Sequence, residues 1–339
     1  MMNSMNTTYD LPSKFFNATS VHDTEMHQEY RRNYIANISG SFATVFIALI
    51  SIIGNLAVII ASKWDEYLKI QTGNKLIMYL STIDILTSVF VMFPSAMAVA
   101  CDYWPLGSNY CRAHTIFNYL CACSSSFIIA FISLDRAIAV TYPLKYTTLV
   151  TDRIMLTIYI TVFSLGFVFA TIGSMPGWYG YNYSLGVCSS NYNSINQEMF
   201  FYSVIAGAST CFYFPALVIG ICNAVILVTA RRCDKVVHVL FVRRHQLHPL
   251  NNSHMRKTIK SMIVVVLVYY ACFTPYSVIK QLKVFFGISV PPWCNYLTTI
   301  FIFISSAVNP FIYAILRKDY REAFKKLAKV FVERCIHCY

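Results

Sequence analysis

The chain carries little charge. Only 12% of its 339 residues are Asp, Glu, Lys or Arg, about half the share usual in soluble domains. Acid is the scarcer sign, with 15 Asp and Glu against 27 Lys and Arg. This excludes an ordinary soluble domain. The first forty residues are polar and contain no apolar signal-peptide core. There is no sequence repeat and no low-complexity tract, and repeats are what many transporters are built from. No pore loop or ring of charge marks a channel. No His/Asp/Glu metal spacing and no nucleophile elbow falls within the apolar stretches, so the chain is not read as an enzyme. Residues 317–339 hold no Ser or Thr. Phosphate-driven docking needs a hydroxyl to modify, and that segment offers only Tyr320 and Tyr339.

What is abundant is hydrophobic sequence, 57% of the chain. About 20 apolar residues cross a bilayer. Seven segments of that length are legible, at roughly 40–63, 76–100, 112–140, 154–176, 200–230, 259–284 and 294–316. They predict an all-α membrane bundle as a single domain. Residues 1–39 form an outer tail, 40–316 the bundle, and 317–339 an amphipathic helix with a short inner tail.

Basic residues orient the bundle. With the N-terminus outside, only Lys14, Arg31, Arg32, Arg112, Lys280 and Lys283 lie on the outer side, and the rest of the 27 face inward. That is the positive-inside bias. It accounts for the net charge of +12 without nucleic acid, and basic inner ends suit anionic lipid headgroups. The N-x-Ser/Thr sites at Asn6, Asn17, Asn37 and Asn182 then all fall outside, as a glycoprotein requires. Twelve cysteines sort by depth. Those within the spans read as small buried apolar residues. Cys111 and Cys188 fall on the oxidising side. Cys101 and Cys294 also lie near the outer surface, where a second bridge is an alternative.

Polar groups inside the apolar runs are expensive. Asn55 follows Gly54 in span one, and Asp84 sits in Leu80-Ser81-Thr82-Ile83-Asp84 of span two. Asp84 is either a functional charge or a protonated acid packed on Asn55. Trp104-Pro105-Leu106-Gly107 precedes Cys111. Asp135-Arg136-Ala137 closes span three, followed by Pro143-Leu144-Lys145-Tyr146. Span five has Pro215, span six Cys272-Phe273-Thr274-Pro275, and span seven Asn309-Pro310-Phe311-Ile312-Tyr313. Proline removes a helical hydrogen bond, so each proline-bearing span is expected to bend. After Tyr313, Ala323, Phe324, Leu327 and Phe331 recur at helical spacing opposite a basic face, the pattern of a helix lying on a membrane surface.

In this order the motifs resemble those of rhodopsin-class G protein-coupled receptors, over residues 54 to 338. The resemblance implies a receptor for an extracellular ligand that drives nucleotide exchange on a heterotrimeric G protein. Asp135, Arg136, Phe273, Pro275, Asn309, Pro310 and Tyr313 would form its activation and transducer machinery. Asp135 would hold Arg136 until the inner helix ends separate. Asn55, Asp84, Ser125, Ser306 and Asn309 match a polar core that binds sodium in such receptors. Cys111–Cys188 would be a disulfide. Cys335 or Cys338, after the eighth helix, would be palmitoylated. With no hydroxyl in its tail but those of two tyrosines, arrestin is a weak partner.

Several positions depart from the family pattern. Ala137 stands for a Tyr. Phe273 stands for a Trp, which puts the rotamer switch at that position in doubt. Span four has no Trp, and Asn223 occupies a position where many members have Tyr. Receptors for amines have an Asp eighteen residues before the arginine of the span-three motif, and here that residue is Asn118. Opsins carry a Schiff-base Lys six residues before the Asn of the span-seven motif, and here that residue is Phe303. A neutral amide supplies no counter-charge for a desolvated ammonium. The expected pocket is therefore Asn118, Tyr119, Tyr276, Ser277, Lys280, Thr299 and Phe303, for a ligand that is neutral or anionic and neither an amine nor retinal. The alternatives are a ligand-independent, constitutively signalling scaffold of the same fold and, from another class, a transporter or channel.

Overall fold

A computed structural model describes residues 33–190, 205–243, 252–288 and 290–337. Seven helices in it are long and apolar enough to cross a membrane: Tyr34–Trp64, Asn74–Cys101, Gly107–Thr141, Asp152–Ile172, Ile205–Thr229, Ile263–Lys283 and Pro292–Leu316. They are called spans one to seven below. The helix of span five continues to Arg243, and that of span six begins at Asn252 and ends at Phe286. Span one starts earlier than its hydropathy suggests, because polar Asn33 precedes a helix that already includes Tyr34 to Gly40. Asn37 is thereby buried on that first helix, 6% exposed. This corrects the reading of Asn37 as a glycan acceptor, since a glycan needs a solvent-facing amide. Asn6 and Asn17 lie outside the described residues. Asn182 is half-buried at the end of a strand, where its Oδ1 accepts from the Leu185 N–H at 3.1 Å.

The prolines act differently from span to span. In spans two and five a π-helical turn stands just ahead of a Phe-Pro pair. Phe93 N–H donates to the Ser88 carbonyl and Phe214 N–H to the Ser209 carbonyl, one residue further back than in an α-helix. Pro94 and Pro215 have no N–H to give, and the wider turn absorbs the break. Pro275 and Pro310 instead sit inside continuous helices.

The core runs down the bundle axis toward the inner end, from Ile129, Leu80 and Ile83 to Leu76, Ile312, Tyr313 and Tyr320. At the outer end the strands β1 (Tyr179–Asn182) and β2 (Val187–Ser190) pair antiparallel, with Tyr181 opposite Cys188. The Cys111–Cys188 disulfide ties this hairpin to the top of span three. Cys188 is fully buried by it. Closing so long a loop lowers the entropy of the unfolded chain, an effect of several kcal/mol in that model.

A last helix, Lys318–His337, turns along the inner end. Tyr320 is completely buried; its hydroxyl meets that of Ser62 at 2.9 Å and its ring lies 5.7 Å from that of Tyr313. Arg317 is buried between Asp319, at 3.0 Å, and the Tyr320 ring, at 4.8 Å. Lys326 reaches Asp65 at 3.0 Å. The tail helix is thus fastened to span one by an aromatic, a hydroxyl pair and an ion pair. Cys335 falls in its last turns, and Cys338 lies outside the described residues.

One expectation about the cysteines fails. Cys121, Cys222 and Cys272 are free and buried, as small apolar residues would be. Cys101 and Cys294 are also free, so the alternative outer bridge does not form. But Cys123 of span three and Cys211 of span five are joined by a disulfide. Neither hydropathy nor spacing marks them, because their meeting depends on how two distant spans pack.

Candidate functional site: two ends of one bundle

At the inner end of span three, Arg136 donates through Nε to Asp135 Oδ2 at 2.8 Å, and a second guanidinium nitrogen reaches the same oxygen. The Tyr146 hydroxyl donates to the other carboxylate oxygen, Oδ1, at 2.7 Å. Tyr146 stands on the short helix Tyr146–Leu149 after the span. Burial, then the neighbouring Asp135 carboxylate, push its hydroxyl above the ordinary tyrosine range, so it remains a donor. Both oxygens of Asp135 are therefore engaged, and Asp135 is only 3% exposed. Acid, guanidinium and phenol thus form one closed cluster. Gly73, just before span two, closes its remaining side.

Midway through the membrane the polar residues converge. Asn309 Nδ2 donates to Asp84 Oδ2 at 2.9 Å, and the Ser306 side chain also bonds the Asp84 carboxylate. Asn55 Nδ2 donates to the Ser306 carbonyl at 3.0 Å and to the Ser51 carbonyl at 3.0 Å. Asn55 can reach span seven because its neighbour is Gly54. A Cβ at Gly54 would meet Pro310 Cγ at 2.9 Å. A small cavity of about 20 Å³ lies here, lined by Asp84, Ser125, Ser306 and Asn309 among others. That is room for one water-sized species. Asn55 Oδ1 has no hydrogen-bond partner among the described residues, so no hydrogen bond joins Asn55 to Asp84. Asn55 braces the span-seven backbone instead.

Asn118, Phe273 and Phe303 line the outer side of the same cavity. Phe273 stacks on Tyr269 with ring centroids 4.2 Å apart, and the Tyr269 hydroxyl hydrogen-bonds the Ser126 hydroxyl of span three. Where Trp is expected, Phe273 thus stacks on a tyrosine of its own span, and the hydroxyl of that tyrosine couples span six to span three.

Nearer the outer surface, Lys280 Nζ lies 5.6 Å from the ring centroids of both Tyr119 and Tyr276, and 3.4 Å from the Tyr276 hydroxyl. The Tyr119 hydroxyl accepts from the Ser190 N–H at 3.0 Å and bonds the Ser190 hydroxyl, so the β2 strand forms the lid of this group. The seven expected pocket residues therefore divide. Asn118 and Phe303 share the floor cavity, and Tyr119, Tyr276 and Lys280 form the outer cluster. Ser277 accepts from Gln281 at 3.0 Å, and Gln281 accepts from Tyr213 of span five at 2.6 Å. Thr299 is buried, and its hydroxyl reaches the Asn295 carbonyl at 3.5 Å.

Sequence reasoning missed Tyr146, Gly73, Ser126, Tyr269 and Ser190. Tyr146 carried a signal, as it closes the Pro-Leu-Lys-Tyr stretch after Arg136. Ser190, two residues beyond Cys188, becomes a site residue only once the hairpin register is known.

Known proteins resemble this chain in sequence and in fold. The sequence profile of the 7 transmembrane receptor (rhodopsin family) matches residues 54–313, and the chain belongs to that family. The fold and family are those of receptors rather than enzymes. The chain is 27% identical to trace amine-associated receptor 1 of Macaca mulatta, over 86% of this chain and 88% of that one. It is 29% identical to 5-hydroxytryptamine receptor 4 of Homo sapiens, over 82% of this chain and 76% of the other. Its fold resembles that of squid rhodopsin, with a TM-score of 0.76, 22% identity and coverage of 90% and 89%.

Proposed function

We propose that this receptor binds a neutral or anionic extracellular ligand in the outer half of its bundle and catalyses nucleotide exchange on a heterotrimeric G protein at its inner end. Membership of the rhodopsin family supports the exchange activity and the outer ligand. The observation that carries the ligand class is Asn118, a neutral amide lining the midmembrane cavity at the position where amine receptors have a carboxylate. Among the described residues, the carboxylates from midmembrane outward are Asp84, engaged by span seven, and Asp102, which accepts from the Tyr183 hydroxyl at 2.6 Å. Neither stands in for the missing carboxylate at Asn118. The relatives named for amines differ from this reading in ligand class.

The residues at midmembrane also fit a sodium ion. The carboxylate of Asp84 and the hydroxyls of Ser125 and Ser306 surround a space of one water's size, an all-oxygen set that suits a hard cation. Such an ion would supply positive charge opposite Asp84 in the resting bundle.

An exchange assay on membranes, run over several G protein families with amine, neutral and acidic ligand sets, tests the proposal. Activation should come from a non-amine, and Arg136→Ala should abolish it while surface expression persists. Potent activation by dopamine, serotonin or octopamine, lost in Asn118→Ala, would overturn the ligand class. Normal exchange in Arg136→Ala would overturn the transducer site.

A further inference from the structure

The Cys123–Cys211 bond joins two spans inside the bundle, far in sequence and close in space, with the Cα atoms 4.9 Å apart. Its surroundings make the position matter. Cys123 is one turn inward from Tyr119 of the outer cluster and one turn outward from Ser126, which bonds Tyr269 of span six. Cys211 lies in the π-helical turn Ser209–Tyr213. One extra residue in that turn rotates everything before Pro215 by about 100° relative to an unbroken helix, and this sets the face on which residue 211 meets span three. The next two residues face span six instead. The Phe212 ring lies 5.6 Å from that of Tyr270, and the Tyr213 hydroxyl donates to Gln281.

We propose that Cys123–Cys211 is a native cross-link that makes spans three and five one unit, leaving span six as the part that a ligand displaces. Two Cα atoms joined this way cannot separate beyond about 7 Å. The contacts from spans three and five to span six are hydroxyl hydrogen bonds, ring contacts and aliphatic packing such as that of Ile263, each non-covalent and individually breakable. Motion is thereby directed to span six, which contains Pro275 and holds Lys280 and Phe273 on successive turns.

The bond forms by exchange with a protein disulfide of the oxidising lumen, before the bundle closes over Cys123, which is only 3% exposed once folded. Cys123 and Cys211 lose two protons and two electrons; the donor disulfide takes both and becomes a dithiol.

The movement part of this inference rests on the proposed exchange function, and the bond does not, so the tests are separate. Full-length receptor is alkylated with N-ethylmaleimide under denaturing, non-reducing conditions and mapped by peptide mass spectrometry. The expected result is a cross-linked peptide pair containing Cys123 and Cys211, with Cys111–Cys188 as internal control. Alkylation of both Cys123 and Cys211 while the control pair stays linked would overturn the inference. In thermal unfolding, C123A, C211A and C123A/C211A should all lower Tm by the same amount, about 4–8 °C. Separate buried thiols would give additive losses, which would also overturn it. In the exchange assay C123A/C211A should raise ligand-independent exchange about threefold or more; unchanged basal exchange would overturn the clamping role. A wild-type receptor silent on every G protein would instead indict the proposed function, with the mapping result untouched.

Discussion

Gly73 lies flush against the Asp135–Arg136 pair. A methyl group at residue 73 would overlap the Arg136 guanidinium and would meet Asp135 Oδ2 at 2.8 Å and the Tyr146 hydroxyl at 3.1 Å. The backbone there is ordinary, with φ −63°, so the glycine serves space and not torsion. Gly73→Ala should push Arg136 off Asp135 without straining the chain. Its long side chain can move, so folding and surface expression should hold. Ligand-independent exchange should rise about tenfold, equivalent to about 1.4 kcal/mol removed from the resting lock. The check is binding of a non-hydrolysable GTP analogue to membranes at matched receptor levels. Basal exchange equal to wild type would show that the pair is not restraining Arg136.

Tyr269 offers a second handle on the same equilibrium. Its ring packs on Phe273 and its hydroxyl bonds Ser126, so it is where span six is held to span three. Tyr269→Phe keeps the stack and deletes the bond, leaving the Ser126 hydroxyl able to turn to its own helix. The expected result is a rise in basal exchange of about fivefold, from a bond worth about 1 kcal/mol. Ser126→Ala should give the same rise, and the double variant no more than either single one. Additive rises would mean the two hydroxyls act separately.

These two sites show what sequence could and could not reveal. Asp135, Arg136, Asn309 and Pro310 were legible because each is costly in hydrocarbon and sits at a motif position. Seven spans were legible because length and hydropathy are local properties. Ser126, Tyr269 and Gly73 were not, since a Ser, a Tyr or a Gly in such a context is unremarkable until its neighbour is known. The Cys123–Cys211 bond was hidden for the same reason. Asn37 misled because a sequon is read from three residues, whereas its burial depends on the start of a whole helix.

Asp65 links span one to the tail helix and has two separable roles. Its Oδ1 accepts from the N–H groups of Tyr67 and Leu68 at 3.1 and 3.2 Å, capping the helix Glu66–Ile70. Its Oδ2 receives Lys326 at 3.0 Å. Burial acts to raise the carboxyl, but the Lys326 ammonium and the two backbone donors outweigh it and hold it below its ordinary 3.8. A lowered carboxyl stabilises the fold above the unfolded value, and that contribution is lost as pH falls through the folded one. Docking of the tail helix should be pH-independent from 7 down to about 4 and loosen below. Lys326 is 63% exposed, so screening keeps the ion pair to roughly 0.2–1 kcal/mol. Asp65→Asn should lose the acid-dependent step and keep most of the cap, whereas Asp65→Ala should cost about 1 kcal/mol more. Amide hydrogen exchange over residues 318–330 at pH 7 and pH 3 measures this. An acid step that persists in Asp65→Asn would place its origin elsewhere.

Asp84 tests the proposed sodium site without any ligand. A species that binds only the folded bundle stabilises it by RT ln(1 + [L]/Kd), about 1.4 kcal/mol at ten times Kd, which in a protein of this size is about 3 °C. Detergent-solubilised receptor should therefore melt higher in sodium chloride than in choline chloride of equal ionic strength. Asp84→Asn removes the negative oxygen that Asn309 and Ser306 now hold toward the cavity, and the difference should vanish. Ser125→Ala removes only a neutral oxygen and should shrink it. Asn55→Ala lies off the cavity and acts on the span-seven backbone. It should lower Tm in both salts and leave the difference between them intact. If Asn55→Ala abolishes the sodium effect and Asp84→Asn does not, the carboxylate is serving packing and the cavity holds water.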